Sequence, residues 1–168
     1  SVVAAAGNDG DRTGMSSPGC LSAVTSVGAT DKTTGAVASY SNTGASVDVL
    51  APGTSIDSAN LGSTGTTSKS GTSMATPHVA GVAALLLARD PSLSTAELKR
   101  LLIDGGKPLS ALSDISASGN RLDAKGSLDL MHLPDTTAPD VPTGLTAVGT
   151  QAQVQLNWDP VSGDDLAG

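Results

Sequence analysis

Short apolar runs, each closed by a turn signal, fill the first third of the chain. Val2-Val3-Ala4-Ala5-Ala6 is continuous and stops at Gly7-Asn8-Asp9-Gly10, the pattern of a strand buried on both faces and ended by a turn. Residues 21–29 alternate enough to predict a second strand, with residues 31–35 as a loop. Residues 37–40 and 47–50 predict two more, separated by the turn Ser41-Asn42-Thr43-Gly44 and closed by Ala51-Pro52-Gly53. The period then changes. After Ser70-Gly71-Thr72 the residues Val82, Ala83, Leu85, Leu86 and Leu87 predict a buried helix that ends near Arg89, before Asp90-Pro91. Pro77 falls in its first turn, where the amides lack intrahelical partners anyway. Ser94-Thr95-Ala96-Glu97 forms a capping box, with Leu93 and Leu98 as its hydrophobic staple. Leu98, Leu101 and Leu102 make an apolar face, and Gly105 closes the helix as a left-handed cap.

Composition narrows the class. The 168 residues allow one or two domains, and the apolar content is Ala, Val and Leu, with no Phe. A formal charge of -7 argues against nucleic acid or an anionic membrane as the main partner. No apolar run approaches the roughly 18 residues that span a bilayer. The single cysteine, Cys20, has no internal partner for a disulfide. It has no adjacent base and no metal-type spacing, so a partly buried passive thiol is expected. Both ends look cut: there is no initiator Met, the chain opens on its first strand, and it stops at Asp164-Asp165-Leu166-Ala167-Gly168.

The stretch with chemistry in it is Gly71-Thr72-Ser73-Met74-Ala75-Thr76-Pro77-His78-Val79-Ala80-Gly81. Ser73 lies at a helix start, with the positive end of the macrodipole behind it. Taken alone, such a serine is most often an N-cap. Ala75 stands where the Gly-x-Ser-x-Gly elbow requires glycine, and Lys69 lacks the preceding glycine of a phosphate-binding loop. The stretch instead resembles, nearly residue for residue, the nucleophile motif of the subtilisin-like serine peptidases, the subtilases. Val27-Gly28-Ala29-Thr30-Asp31, Ser39-Tyr40-Ser41-Asn42 and Val49-Leu50-Ala51-Pro52-Gly53 resemble landmarks of that family in the expected order. Ala5-Ala6-Gly7-Asn8 is similar to the segment whose asparagine donates to the oxyanion and whose preceding small residues line the P1 pocket.

The resemblance implies an α/β fold with a parallel sheet flanked by helices, incomplete here, and a secreted serine endopeptidase acting on polypeptides. It implies Ser73 as nucleophile and Asn8 with the Ser73 N–H as oxyanion donors. Ala5, Ala6 and Gly7 would form the substrate wall. Asn120-Arg121-Leu122-Asp123-Ala124 looks like the start of the family's last helix, running to about Leu133 with His132 facing solvent. Subtilases carry Asp, His and Ser in that chain order, so the resemblance places the Asp and His ahead of Ser1. Asp48 and Asp57 take no role. His78, five residues past Ser73, lies some 140° round the helix axis and cannot comfortably reach it; a satisfied core histidine is expected. Subtilases often bind calcium, which keeps that ion possible. Yet Asn8-Asp9-Gly10-Asp11 is too short for a known calcium loop, and a polar turn is expected.

Asp135-Thr136-Thr137-Ala138-Pro139-Asp140-Val141-Pro142 reads as a proline-stiffened linker. Beyond it, residues 142–147 and 154–158 show strand periodicity, with Val154, Leu156 and Trp158 on one face. They resemble the opening strands of a fibronectin type III domain. The expected division is therefore 1–133 (the C-terminal half of a subtilase catalytic domain), 134–142 (linker) and 143–168 (an all-β, type III-like piece). The alternative is a non-catalytic subtilase-like scaffold whose type III module binds proteins or glycans. The sequence is silent on oligomeric state.

Overall fold

Seven consecutive residues of the strand Val24–Asp31 are buried, and the fold is assembled around them. The computed structural model describes residues 1–62, 64–108, 115–131, 146–149 and 154–157. In chain order these hold β1 (Val2–Ala5), β2 (Val24–Asp31), β3 (Val49–Thr54), β4 (Ile56–Ala59) and β5 (Thr66–Lys69). Then come α1 (Thr72–Arg89), α2 (Thr95–Asp104), β6 (Lys107–Pro108), β7 (Asn120–Arg121), α3 (Ala124–Asp129), β8 (Thr146–Gly149) and β9 (Val154–Asn157). Contacts divide the chain into two units, Ser1–Met131 and His132–Gly168. In the second, β8 and β9 pair antiparallel, Thr146 opposite Asn157. Trp158, His132 and the linker residues lie outside the described residues.

The first unit contains a five-stranded sheet in the order β1-β2-β3-β7-β6. β1, β2, β3 and β7 run parallel and β6 is antiparallel to β7, so the α/β class and the mostly parallel sheet are as the sequence implies. β2 is buried because β1 and β3 pair with its two edges and α1 packs over it. β1 departs from its expected burial: it is an edge strand, and Val2 is 56% exposed while Ala4 and Ala6 are inside. The core is made of small and β-branched residues in close contact. Val27 and Ala29 from β2, Val49 and Ala51 from β3, and Ala75 and Val79 from α1 are all fully buried. With no Phe to hold the layers apart, α1 can lie close on the sheet.

Several local expectations shift. Residues 37–40 form no strand, only an isolated bridge from Val37 to Thr30. Ala51, Pro52 and Gly53 continue β3 rather than ending it. β7 covers β3 only at Leu50, and Pro52, in phase with Leu50, meets no neighbour there that needs its missing N–H. Gly105 has φ -73 and ψ -5, so it is not a left-handed cap. Its lack of a Cβ serves closeness instead, since a methyl there would meet Ser127 Cα at 2.4 Å. α3 ends at Asp129, capped at its start by the Asp123 carboxylate accepting from the Gly126 amide at 3.1 Å. Cys20 is exposed. Gly19 is the residue of that turn that faces β1, with room for no side chain against Ala5 O, so its neighbour points outward.

The α2 capping box is present, with Glu97 N accepted by Ser94 Oγ at 3.2 Å and Ser94 N by the Glu97 carboxylate at 2.8 Å. The Ser94 hydroxyl also donates to that carboxylate, and together with the Ser94 N–H it holds the Glu97 carboxyl below its ordinary pKa. Asp48 accepts from Ser26 N at 2.8 Å and pairs with Lys99 Nζ at 2.9 Å, tying the start of β3 to β2 and α2.

β4 and β5 form an antiparallel hairpin projecting from the end of β3. At its base Gly71 N donates to Gly53 O at 2.9 Å and Ser55 N to Ser70 Oγ at 2.9 Å. The chain thus leaves the sheet at Thr54 and returns to the same place to begin α1. Gly53 makes that return possible: a Cβ on it would meet Ala29 Cβ at 2.7 Å, Gly71 O at 2.8 Å and Ala75 Cβ at 3.2 Å. Gly53→Ala is therefore expected to destabilise the fold by about 1–3 kcal/mol through overpacking. A lower urea midpoint at unchanged m-value would show it; an unmoved midpoint would mean α1 does not dock as described.

Candidate active site

Gly71 precedes α1 as its N-cap, with φ 155 and no side-chain hydrogen bond. Its carbonyl accepts from Met74 N at 2.9 Å and Ala75 N at 3.3 Å. The Thr72 amide is taken by Asn8 Oδ1 at 2.8 Å. Among the described residues, the Ser73 N–H alone in this opening turn has no acceptor. Because the helix starts at Thr72, Pro77 is its sixth residue and lies past the first turn, contrary to the sequence expectation. The amide it lacks is the one that would have bonded to the Ser73 carbonyl.

Asn8 follows β1 in the turn Gly7-Asn8-Asp9-Gly10, and its side chain reaches across to the helix. Oδ1 accepts from both Thr72 N and Thr72 Oγ1, the latter at 3.0 Å. The Thr72 hydroxyl, having given its proton to Asn8, accepts from Gly7 N at 3.3 Å. With Oδ1 committed twice, the amide plane of Asn8 is set and Nδ2 is left as a donor without a partner among the described residues. Thr72 is fully buried, while Ser73 and Asn8 are exposed. The site therefore lies at the carboxyl ends of β1 and β3, where open α/β sheets place their ligand crevices.

Of the three residues expected to form a wall, Ala5 and Gly7 are half-buried and Ala6 is fully buried. Ala6 is enclosed because its amide bonds Val27 O at 2.9 Å and its carbonyl receives Ser16 N at 2.9 Å. His78 is satisfied, as expected, but exposed rather than in the core: its Nδ1 lies 2.9 Å from Met74 O. That bond commits Nδ1 to its own helix. A cavity of about 310 Å³ opens beside Met74, lined by Ile56, Asp57, Ser58, Met74, Pro77 and His78. The Asp57 carboxyl on its rim is held below its ordinary pKa by the Ser68 hydroxyl and then by Lys32, whose Nζ is 3.3 Å away.

No three His, Cys, Asp or Glu side chains come together as a cation site among the described residues. The turn after Asn8 is occupied internally, with Asp11 Oδ1 accepting from Thr13 N at 2.8 Å and Gly14 N at 3.1 Å. Those bonds lower the Asp11 pKa, Thr13 contributing most. No described helix is long and apolar enough to cross a membrane. Thr72 is the neighbour of Asn8 that sequence reading passed over. Its signal was present, since a hydroxyl residue directly before the candidate nucleophile stands at the first position of a helix.

The family model for the subtilase family, peptidase S8, matches residues 1–139. Among solved structures, the prenylagaramide maturation protease PagA is 33% identical, with a TM-score of 0.69 over 77% of this chain and 50% of that one. The self-cleaved protease domain of PatA is 37% identical, with a TM-score of 0.65 over 76% of this chain and 48% of that one. A cold-adapted subtilisin-like serine proteinase is 36% identical, with a TM-score of 0.60 over 68% of this chain and 43% of that one. The chain thus spans about half the length of these structures. A parallel sheet that brings an asparagine turn against the first turn of a Gly-Thr-Ser helix agrees with that match, and the chain belongs to the subtilase family of serine peptidases.

Proposed function

We propose that this chain carries the nucleophile and the oxyanion donors of a serine endopeptidase. The observation that bears most weight is the pair of unclaimed donors beside an exposed hydroxyl: the Ser73 N–H at the start of α1 and Asn8 Nδ2, aimed by Thr72. Ser73 Oγ would attack a peptide carbonyl and pass its proton to a histidine. Negative charge on the carbonyl oxygen would then be met by these donors without reorganisation. Collapse would expel the amine, protonated by the imidazolium, and leave an acyl-enzyme on Ser73 that water hydrolyses. Ala5 and Gly7 would present the wall against the substrate side chain, with Ala6 fixing the strand end behind them.

The base and its orienting aspartate are not assigned within this chain. His78 is turned onto Met74 O, and Asp48 is committed to Ser26 and Lys99. We infer that both come from polypeptide outside these 168 residues, in keeping with a match to half the length of the solved relatives. The 168-residue chain alone should then show no appreciable hydrolysis, because losing the base costs nearly as much as losing the whole triad.

A fluorophosphonate probe on the full polypeptide that carries this chain tests the reading. Labelling is expected at Ser73, lost in Ser73→Ala and absent from the 168-residue chain by itself. No labelling of the full polypeptide would favour a binding scaffold that keeps the fold without the chemistry. Asn8→Ala is expected to slow turnover by about 100- to 1000-fold, the range the corresponding subtilisin asparagine supplies. Thr72→Val keeps the shape but removes the hydroxyl that aims Asn8. It should slow labelling by about 10-fold through the lost bond to Asn8 Oδ1, with Thr72→Ser restoring most of the rate. Equal rates for Thr72→Val and the unsubstituted protein would mean Asn8 is not held this way.

A further inference from the structure

Asn42 is 2% exposed and makes no hydrogen bond to Ser73 or Asn8, yet both polar atoms of its side chain and its backbone N–H are spent on the segment that carries Asn8. Its Oδ1 accepts from Asp9 N at 2.9 Å and Asp11 N at 3.0 Å. Its Nδ2 donates to Ala6 O at 3.2 Å and to the Asp9 carboxylate at 3.4 Å. Its own backbone N–H donates to Gly7 O at 3.0 Å. The two amides facing it can only donate, so the orientation of the side-chain amide is dictated by its partners. The segment on either side adds Gly10 N to Tyr40 O and Thr43 N to Asp11 O, both at 2.8 Å.

Taken in order, these bonds seize Ala6 and Gly7 before Asn8, and Asp9, Gly10 and Asp11 after it. Asn8 is the one residue of the turn they skip. Gly7 completes the fit: at φ 114 it has a left-handed backbone, and a Cβ there would lie 2.3 Å from Asn42 Nδ2. An exposed turn of small polar residues would otherwise be mobile. A donor that must wait in place for a developing charge needs its backbone fixed as well as its side chain. Thr72 supplies the second, from the helix side.

We propose that Asn42 is a positioning residue for the oxyanion donor, acting on catalysis through Asn8 alone. The inference rests on the peptidase reading above and names a part of that same site. Asn42 acts by holding the peptide units 6–7 and 9–11 so that Nδ2 of Asn8 stays where the substrate oxygen will sit. A merely structural role would lower stability without caring whether Asn8 is present.

The test is a double-mutant cycle on the full polypeptide, read by the saturating rate of fluorophosphonate labelling and by the probe concentration giving half that rate. Asn42→Ser should lower the saturating rate by about 10-fold, and by no more than Asn8→Ala does. The half-saturating concentration should move less than about twofold, since the donor acts on the transition state and not on ground-state binding. In the Asn8→Ala background the same Asn42→Ser change should alter the rate by less than about twofold. If Asn42→Ser does not accumulate as folded protein, Asn42→Thr takes its place; it fills more of the space, brings no charge next to the Asp9 carboxylate, and still lacks the side-chain amide. A rate unchanged by either substitution, or a loss that multiplies with that of Asn8→Ala, overturns the assignment. No labelling of the unsubstituted protein overturns the peptidase reading and this role with it, whereas labelling abolished in Ser73→Ala upholds that reading whatever Asn42 does.

Discussion

One backbone hydrogen bond, Gly71 N to Gly53 O at 2.9 Å, fixes where the helix that carries Ser73 begins. It joins residues eighteen apart in sequence at the point where the chain leaves the sheet and comes back. It forms because Gly53 has no side chain where Ala29 Cβ, Gly71 O and Ala75 Cβ close in, and because Gly71 takes up a φ of 155 that side chains rarely adopt. Once it is made, Thr72 is buried beside the end of β1 and Ser73 stands in the open above it. The site follows from how near α1 comes to the sheet.

That nearness also explains the polarity of the site. A helix start delivers amides with no internal acceptor, and this one disposes of them selectively. Gly71 O takes two, Asn8 Oδ1 takes one, and the Ser73 amide is left over. The same contact that uses up the Thr72 amide turns Asn8 so that its nitrogen is left over too. Two donors are therefore produced by satisfying everything around them. The donors come from opposite ends of the chain's first half, which is why the turn after β1 has to be fixed independently by Tyr40 to Thr43.

Much of this was legible in the residues. Val2 to Ala6 and the run into β2 announced parallel strands, and Ser94 with Glu97 announced a helix start that the structure contains bond for bond. Gly71-Thr72-Ser73 and Gly7-Asn8 marked the two halves of the site by content and order. What stayed hidden depends on contacts between distant segments. The β4–β5 hairpin lacks an apolar alternation because its pairs, such as Asp57 opposite Ser68, are polar and largely exposed. Gly105 looked like a cap, but its smallness answers to α3, twenty residues on. Pro52 looked like a stop, but the open side of β3 tolerates it. Asn42 looked like a turn residue because nothing local shows that its side chain is buried under another loop.

The hairpin between Thr54 and Gly71 has one more consequence. Its base is pinned on both sides, by Gly53 with Gly71 and by Ser55 with Ser70, while its tip at Leu61 is wholly exposed. Everything beyond the base is thus free to vary in length, since each doubling of such a loop costs only about 0.6 kcal/mol in closure. A longer or shorter arm there would keep Ser73 in register with the sheet and change only what overhangs the cavity beside Met74. The fold thus separates the geometry that seats Ser73 from an arm whose length and charge can change without disturbing it.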